Sequence, residues 1–535
     1  MTGEAGKGSM TKFTLAKAAS IVAFLTIVSK ILGFIRETSL AAVFGATADT
    51  DAYLLAQTIP YLLFATVSYA LTTTFIPVYS HVREAQGKEA GFRFVNNVVW
   101  TVLGVAVLFV LAGETLAEQL VAIVAPGLER NTAVLTEYLS RILFPMMIFQ
   151  LLSGVVTGVL NAEGEFGIPT AAGLVQNVSI IVSILAFGPR HGIQAVAVGT
   201  LVGAGLALLA KLPALFRTGF RLRVHLDLRD PSLRRMVILM LPAFLGAGAN
   251  QINTLVDRML ASGLPEGRVA ALNYAKRLMQ LAPGVLGASI ATVVYPTLAK
   301  LAARRDWTRF NDALVRSLSL IHFWLAPVAI GVLVLREPLV RVVYERGAFD
   351  AAATSETAWA LLFFSLGIAL FTMRDLVSRA FFTMQDTKTP LVVGVVTVVI
   401  NVALNLLLVG PLEQGGLALA TVIATTAGFV IGLIGLRRKV PEHLRLGGLF
   451  SSISRTLLAS LIMGLVVAPV YQQWLTLITV GHTTLDELFR ILLAAAIGAV
   501  VYFAAAWVFR VRELREAANF GWGLVKAVAR RSARS

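Results

Sequence analysis

Apolar runs long enough to cross a bilayer recur along almost the whole chain, separated by short polar and mostly basic connections. About twenty residues of α-helix, at 1.5 Å each, match the ~30 Å hydrocarbon core of a membrane. In that medium every backbone N–H and C=O must be bonded internally, which leaves helices and closed barrels as the only spanning structures. The runs here are continuously apolar rather than alternating, so the helix is predicted. Of 535 residues, 57% are hydrophobic and 14% charged, too little polar surface to cover the core of a soluble protein this long. The predicted fold class is an all-α polytopic membrane protein.

Fourteen spans are predicted, at 17–35, 52–79, 94–113, 133–160, 168–188, 192–215, 232–260, 268–299, 309–335, 354–384, 389–410, 414–436, 449–472 and 487–509. The first twelve residues are polar and no signal-peptidase pattern follows the first run, so that run is expected to remain as a membrane helix. The net charge of +16 could suggest a nucleic-acid binder, but Lys and Arg cluster in alternate connections, which is the signature of membrane orientation. Lys211, Arg217, Arg221, Arg223, Arg229, Arg234 and Arg235 crowd one connection, and Lys300–Arg309 and Arg437–Arg445 are also basic. These lie on the side of Lys7, Lys12 and Lys17, opposite the acidic Glu114, Glu118 and Glu129. Both termini are therefore expected in the cytoplasm.

An internal repeat is visible. Asn177 precedes Gly192 by fifteen residues, and Asn401 precedes Gly416 by the same fifteen. Thr74-Phe-Ile-Pro77 at the end of span 2 echoes Val294-Tyr-Pro296 at the end of span 8. Six spans separate equivalent positions, so the halves insert in the same orientation, an arrangement of transporters that bind cargo between halves. The alternative is chance recurrence among apolar helices. The expected division is an N-terminal segment 1–16, a first lobe 17–223, a second lobe 224–440, two extra spans in 441–509, and a basic amphipathic tail 510–535 suited to an anionic leaflet or simply solvated.

Charges inside the spans point to function. A cation at bilayer depth costs about 2.5–3.5 kcal/mol on insertion scales, so it normally faces a bundle interior or a wet cavity. Ser29-Lys30-Ile-Leu-Gly33-Phe-Ile-Arg36-Glu37 sets three ionisable residues around a Gly in the first span. Arg277 lies in the eighth, in the opposite half. Arg suits phosphate because its planar fork donates two parallel hydrogen bonds, and Lys30 would add a point charge. A diphosphate cargo head contacting Lys30, Arg36 and Arg277 is the reading; snorkelling to the interface or a structural ion pair is the alternative. Sequence neighbours point about 100° apart on a helix, so Arg36–Glu37 and Asp257–Arg258 are expected to pair poorly. Arg374 and Arg379 are read as structural. Asp257, with Asn401 and Asn405 one turn apart and Thr421 in the next span, forms a hard-oxygen set for Na⁺ or a proton, or else the amides merely bond helices together.

With no Cys, disulfides and thiolate sites are excluded, and no metal or organic cofactor is called for. No G-x-x-x-x-G-K-[ST] stretch is present, so no P-loop powers the chain. Asp49-Thr-Asp51 resembles the D-x-D of a metal-dependent glycosyltransferase, but it opens a helix with no soluble catalytic domain beside it, and an enzyme is not expected.

Taken together, Ser29–Glu37, Phe44-Gly45, Asp51-Ala-Tyr53, Ile59-Pro60, Asn273-Tyr-Ala-Lys-Arg277, Tyr344-Glu-Arg-Gly-Ala-Phe349, Asp386-Thr-Lys-Thr-Pro390, Asn401 to Asn405 and Gly416–Thr421 resemble the MurJ (MviN) lipid II flippases of the multidrug/oligosaccharidyl-lipid/polysaccharide exporter superfamily. The resemblance covers residues 13–510. It implies two six-helix lobes around a central cavity, alternating access, and a lipid-tail groove formed with the last two spans. It also implies cargo contacts at Ser29, Lys30, Arg36, Glu37 and Arg277, and a sodium site at Asp257, Asn401, Asn405 and Thr421. Lys30 stands where the family usually has Arg, Glu37 where it has Asp, and Asn405 in place of an acid; Phe64 and Tyr69 fall where members often carry charge in span 2.

The function so implied is translocation of undecaprenyl-diphosphate-linked peptidoglycan precursor from the inner to the outer leaflet of a bacterial cytoplasmic membrane. The drive would be the membrane potential or a cation gradient, Na⁺ or H⁺. The partners implied are lipid II and membrane lipids, with no nucleic acid, and the chain is expected to act as a monomer. Alternatives are a flippase for another polyprenyl-diphosphate oligosaccharide, a cation/drug antiporter, which would want an anionic cavity, and a scaffold for cell-wall enzymes.

Overall fold

A computed structural model of the chain describes residues 4–284, 288–440, 446–474 and 483–515, without the side chains of 4–19, 63, 64, 69, 242, 243, 245–250, 288–293 and 483. The basic tail beyond 515, residues 441–445, and the side chains of Phe64 and Tyr69 therefore lie outside the described residues. Those residues are helical nearly throughout and contain no strand. Ten helices among them are long and apolar enough to cross a membrane, by length and composition. One of the ten, Lys388–Lys439, merges the eleventh and twelfth predicted spans across a break at Glu413, where φ is 49° and ψ −130°. The helices also overrun the predicted edges, because polar residues at the ends of a run continue the helix into the interface.

Two compact units are present, 1–270 with 346–350, and the remainder. The first contains α1 (Glu4–Phe44), α2 (Ala48–Gln86), α3 (Lys88–Thr115), α4 (Ala117–Val124), α5 (Arg130–Leu143), α6 (Met146–Ala162), α7 (Gly167–Val182), α8 (Gly188–His191), α9 (Ile193–Leu209), α10 (Leu212–Arg217) and α11 (Pro231–Ala261). A five-residue π-helical stretch, Ser183–Phe187, interrupts the passage from α7 to α8. The predicted fourth span is broken between α5 and α6 at Phe144-Pro145, where Pro cannot donate to the ladder. At the centre of this unit α2 packs against α3, α5, α6 and α11, while α1 lies along α7. Its core stacks Phe75 on Tyr79 (centroids 5.7 Å apart) and on Phe94 (5.9 Å). Lipid tails are as apolar as these side chains, so close packing rather than water exclusion holds such helices together. Gly158 illustrates this: a Cβ there would sit 2.7 Å from the Phe75 ring.

The second unit runs through α12 (Arg268–Met279), whose first three residues still belong to the first unit, then α13 (Ala288–Ala303), α14 (Trp307–Val334), α15 (Arg336–Tyr344), α16 (Ala351–Thr383), α17 (Lys388–Lys439), α18 (Gly447–Pro469) and α19 (Thr483–Val508). Here α14 packs against α16 and α18, α16 against α17, and α18 against α19. Phe323, Met463 and Tyr502 anchor the α14–α18–α19 core, with the Tyr502 hydroxyl donating to Phe323 O at 2.6 Å. Large apolar side chains also point outward: Leu407, Leu465 and Trp507 are 70%, 76% and 75% exposed, which suits lipid and not water.

Tight glycine contacts seal the end of α1. Gly45 (φ +68°) and Gly347 (φ +62°) each lie where a Cβ would meet a carbonyl oxygen, that of Ala348 at 2.4 Å and of Ala42 at 2.1 Å. Ala348 N donates to Ala42 O at 2.8 Å. The Phe44-Gly45 and Tyr344–Phe349 motifs are thus two sides of one backbone junction, which explains why 346–350 belongs to the first unit.

Candidate cargo site in the membrane helices

Glycine and serine open the middle of α1, and the charged residues follow within two turns. Arg36 extends over the helix surface: its Nη1 donates to Asn177 Oδ1 on α7 at 3.2 Å, and its Nη2 to Glu37 Oε1 at 2.7 Å. Glu37 is buried, while the Arg36 side chain as a whole retains 27% exposure. This corrects the expectation that helical neighbours pair poorly. The four-bond Arg stem folds back across the 100° offset, and Asn177 fixes the guanidinium plane on its other side. Asn177 in turn donates to Gly173 O at 3.1 Å.

Ser29 lies two turns earlier on the same face of α1, half-buried, with its Oγ 3.5 Å from where a Cβ on Gly173 of α7 would be. Lys30 is exposed. Behind the cluster, the Tyr53 hydroxyl pairs with Thr200 Oγ1 at 2.8 Å and accepts from Gln57 Nε2 at 2.5 Å. Asn177 and Tyr53 are the residues sequence reasoning did not assign to the site. Their signal was present in the Asn177–Gly192 repeat and in the Asp51-Ala-Tyr53 motif.

The D-x-D pair does not form a metal site. Asp49 is exposed, whereas buried Asp51 accepts from Gly267 N through Oδ2 and from Ala270 N through Oδ1, each at 2.7 Å. Both oxygens are committed to the first turn of α12, where orphan amides and the positive helix end favour a carboxylate.

In the second unit, Tyr274, Ala275 and Met279 bury one side of α12, with Tyr274 against Tyr344 at 4.9 Å between centroids. Lys276 and Arg277 lie on the exposed side. Asn401, Asn405 and Thr421 are brought together: Asn405 Nδ2 donates to Asn401 Oδ1 at 3.1 Å, and Asn401 Nδ2 to Thr421 Oγ1 at 3.4 Å. These are hard oxygens of the type a monovalent cation takes, but all are neutral. Asp257 belongs to the first unit, where Asn253 Nδ2 approaches its Oδ2 at 3.4 Å.

Other charges sort themselves by contact. Arg379 bonds Asp375 one turn away at 2.8 Å, a structural pair as expected. Arg374 Nε is buried without a hydrogen-bond partner among the described residues. Lys211, read from sequence as part of a basic connection, is instead buried: its Nζ donates to Ser153 Oγ at 2.5 Å and Thr157 Oγ1 at 2.9 Å on α6. Its position directly after α9 let the chain turn it inward onto two hydroxyls.

Residues 40–494 match the family model described as lipid II flippase MurJ. A probable lipid II flippase MurJ of Rickettsia prowazekii (strain Madrid E) is 26% identical over 504 residues, covering 93% of this chain and 98% of that one. One of Rhizobium meliloti (strain 1021) is 31% identical over 421 residues, 77% and 78% of the two chains. Among solved structures, a lipid II flippase MurJ in an inward closed conformation superposes with a TM-score of 0.77 at 26% identity over 92% of this chain and 99% of that one. An inward-facing multidrug resistance MATE transporter shares the fold, with a TM-score of 0.67 at 14% identity over 79% and 98%. A family model spanning most of the chain, relatives matched over most of their length and a matching all-helical fold lead to one conclusion: this chain belongs to the MurJ lipid II flippase family.

Proposed function

We propose that this protein moves lipid II, the undecaprenyl-diphosphate-linked peptidoglycan precursor, from the inner to the outer leaflet of the bacterial cytoplasmic membrane. The observation that carries the reading is the Arg36 guanidinium, braced by Asn177 and Glu37 within the predominantly apolar stretch 18–44 of α1. A guanidinium carries five N–H donors, so these two bonds leave others for a diphosphate. Lys30 and Arg277 add charge, Ser29 adds a hydroxyl, and Glu37 keeps Arg36 aimed. The sugar–peptide head crosses through a polar path while the prenyl tail stays in lipid, which avoids placing unpaired polar groups in hydrocarbon. No bond is made or broken, so the protein works as a transporter.

Exchange of access between the two leaflets is driven by the membrane potential or by a cation. One elementary charge is worth about 2.3 kcal/mol per 100 mV. Asp257 would supply the only carboxylate to a Na⁺ or H⁺ site with Asn401, Asn405 and Thr421. The protein acts as a monomer with its termini in the cytoplasm.

The test is leaflet exchange of fluorescent lipid II in proteoliposomes, with Na⁺, proton and potential gradients varied separately. Transport by the native chain, abolished in Arg36→Ala and Arg277→Ala, is the expected result. Equal transport by those variants would overturn the cargo assignment. Exchange of an O-antigen-type polyprenyl-diphosphate oligosaccharide but not of lipid II would favour the other flippase reading.

A further inference from the structure

Between α10 and α11 the chain makes a strap, residues 220–230, that contains no helix and is pinned along α3. Phe220 is buried and meets Phe92 edge-on at 5.7 Å. Asn96 donates to Arg221 O at 3.1 Å and accepts from Arg223 N at 2.8 Å. Asn97 repeats the pattern on Asp227, bonding its O and N at 2.8 Å each, and Trp100 Nε1 donates to Arg223 O at 2.9 Å. All three anchored residues are odd-numbered, as an extended backbone with every second peptide facing α3 requires.

So firmly held a segment would be expected to bury its apolar residues. Instead Leu222, Val224, Leu226 and Leu228 are 56%, 81%, 59% and 68% exposed. Arginines alternate with them at 221, 223 and 229. The two acids are already used: Asp227 Oδ1 accepts from Arg229 N at 2.9 Å, and Asp230 caps α11 through Ser232 N at 2.6 Å and Leu233 N at 3.2 Å. Next to the strap is a cavity of about 330 Å³ lined by Arg229, Arg234 and Arg235 together with Pro231, Ile238 and Leu239.

Depth completes the picture. The twenty-eight residues of α3 run about 42 Å against a hydrocarbon core of about 30 Å, so an end of the helix stands in the headgroup region. The strap crosses α3 at Asn96, Asn97 and Trp100, and Trp is a residue of that interface. Four aliphatic side chains beside a row of arginines, at that level, match acyl chains below and phosphates above.

We infer that strap 220–230 and the adjoining arginine-lined cavity form a binding surface for anionic phospholipid headgroups of the leaflet at this end of the first unit. The aliphatic residues enter the acyl boundary, the arginines hold phosphate, and the paired asparagines keep the strap flat. Anionic lipid then fixes the level at which α3 and α11 sit.

The absence of native Cys allows a single label. The full chain carrying Val224→Cys with an environment-sensitive fluorophore is reconstituted in vesicles of phosphatidylcholine alone, or with a quarter phosphatidylglycerol, each containing nitroxide-labelled lipid. Quenching is expected to be at least about twofold greater with phosphatidylglycerol. It should fall to the phosphatidylcholine level in Arg221→Gln/Arg223→Gln/Arg229→Gln, a preference loss of roughly fivefold per arginine removed. Arg234→Gln/Arg235→Gln provides the second variant should the first not melt like the native chain. A label that stays water-like in both vesicles overturns the proposal. Equal quenching with and without phosphatidylglycerol overturns its anionic part. A label exposed in vesicles but shielded in native membranes assigns the strap to a protein partner and overturns it as well.

Discussion

Arg36 draws its directionality from two neighbours of different kinds, a buried carboxylate beside it in sequence and an amide 141 positions away. A hydrogen bond to a charged group is worth about 1.5–3 kcal/mol, so Asn177→Ala should lower transport by about ten- to a hundredfold through misaiming alone. Arg36→Lys keeps the charge and loses the fork. It should transport at about a tenth of the native rate or less in the proteoliposome assay, and recovery of the native rate would show that charge alone suffices. The identity of Arg36 as a special residue was legible from one line of sequence, since a cation amid apolar neighbours is costly. Its bracing was not. Nothing in residues 29–37 says which of the polar residues on other helices lies opposite.

Several motif residues act at the level of elements, joining ends of helices. Asp51 holds the first turn of α12 with two 2.7 Å bonds in a buried setting. Asp51→Ala strands both amides and should lower stability by about 2–4 kcal/mol, read as a fall in melting temperature in detergent. Gly347→Ala would force a side chain against Ala42 O in a left-handed backbone, at a cost of at least 1–2 kcal/mol by the penalty for that conformation alone, roughly as large as losing a cap. Glu163, which accepts from Tyr79 at 2.7 Å and pairs with Arg83 at 2.5 Å, ties the turn after α6 to the end of α2. In the second unit Asp386 does the same between α16 and the end of α17 by pairing with Lys439. Burial pushes the Asp386 carboxyl up, but bonds from Lys439 and from the hydroxyl and amide of Thr389 together hold it at about 2, below its ordinary 3.8. A depressed carboxylate stabilises the fold above its unfolded pKa and loses that contribution as pH falls through the folded one. Stability should therefore decline between about pH 4 and about pH 2 in the native chain. Asp386→Asn should flatten that part of a melting-temperature profile, and an unchanged profile would remove Asp386 from the account.

At the scale of the molecule the residues proposed to meet cargo or cation are divided between two units: Ser29, Lys30, Arg36, Glu37 and Asp257 in one, Arg277, Asn401, Asn405 and Thr421 in the other. The proposal of one shared cargo makes a prediction about additivity. If Arg36 and Arg277 share one diphosphate, Arg36→Ala/Arg277→Ala should transport little worse than either single variant, a coupling of about 0.5–3 kcal/mol in the double-mutant cycle. Strictly multiplicative losses would place them on separate steps. The chain by itself determined its medium, its helical class, its family and the helices that carry charge, because the transfer of apolar residues into lipid adds up along a sequence and needs no knowledge of neighbours. Only the tertiary structure decided that Arg36 bonds both Glu37 and Asn177, that Lys211 turns inward to two hydroxyls, that Asp51 caps a distant helix, and that the aliphatic strap on α3 faces outward. Each of these depends on which side chains meet within about 3 Å, a distance set by helix packing and by backbone breaks that no local composition encodes.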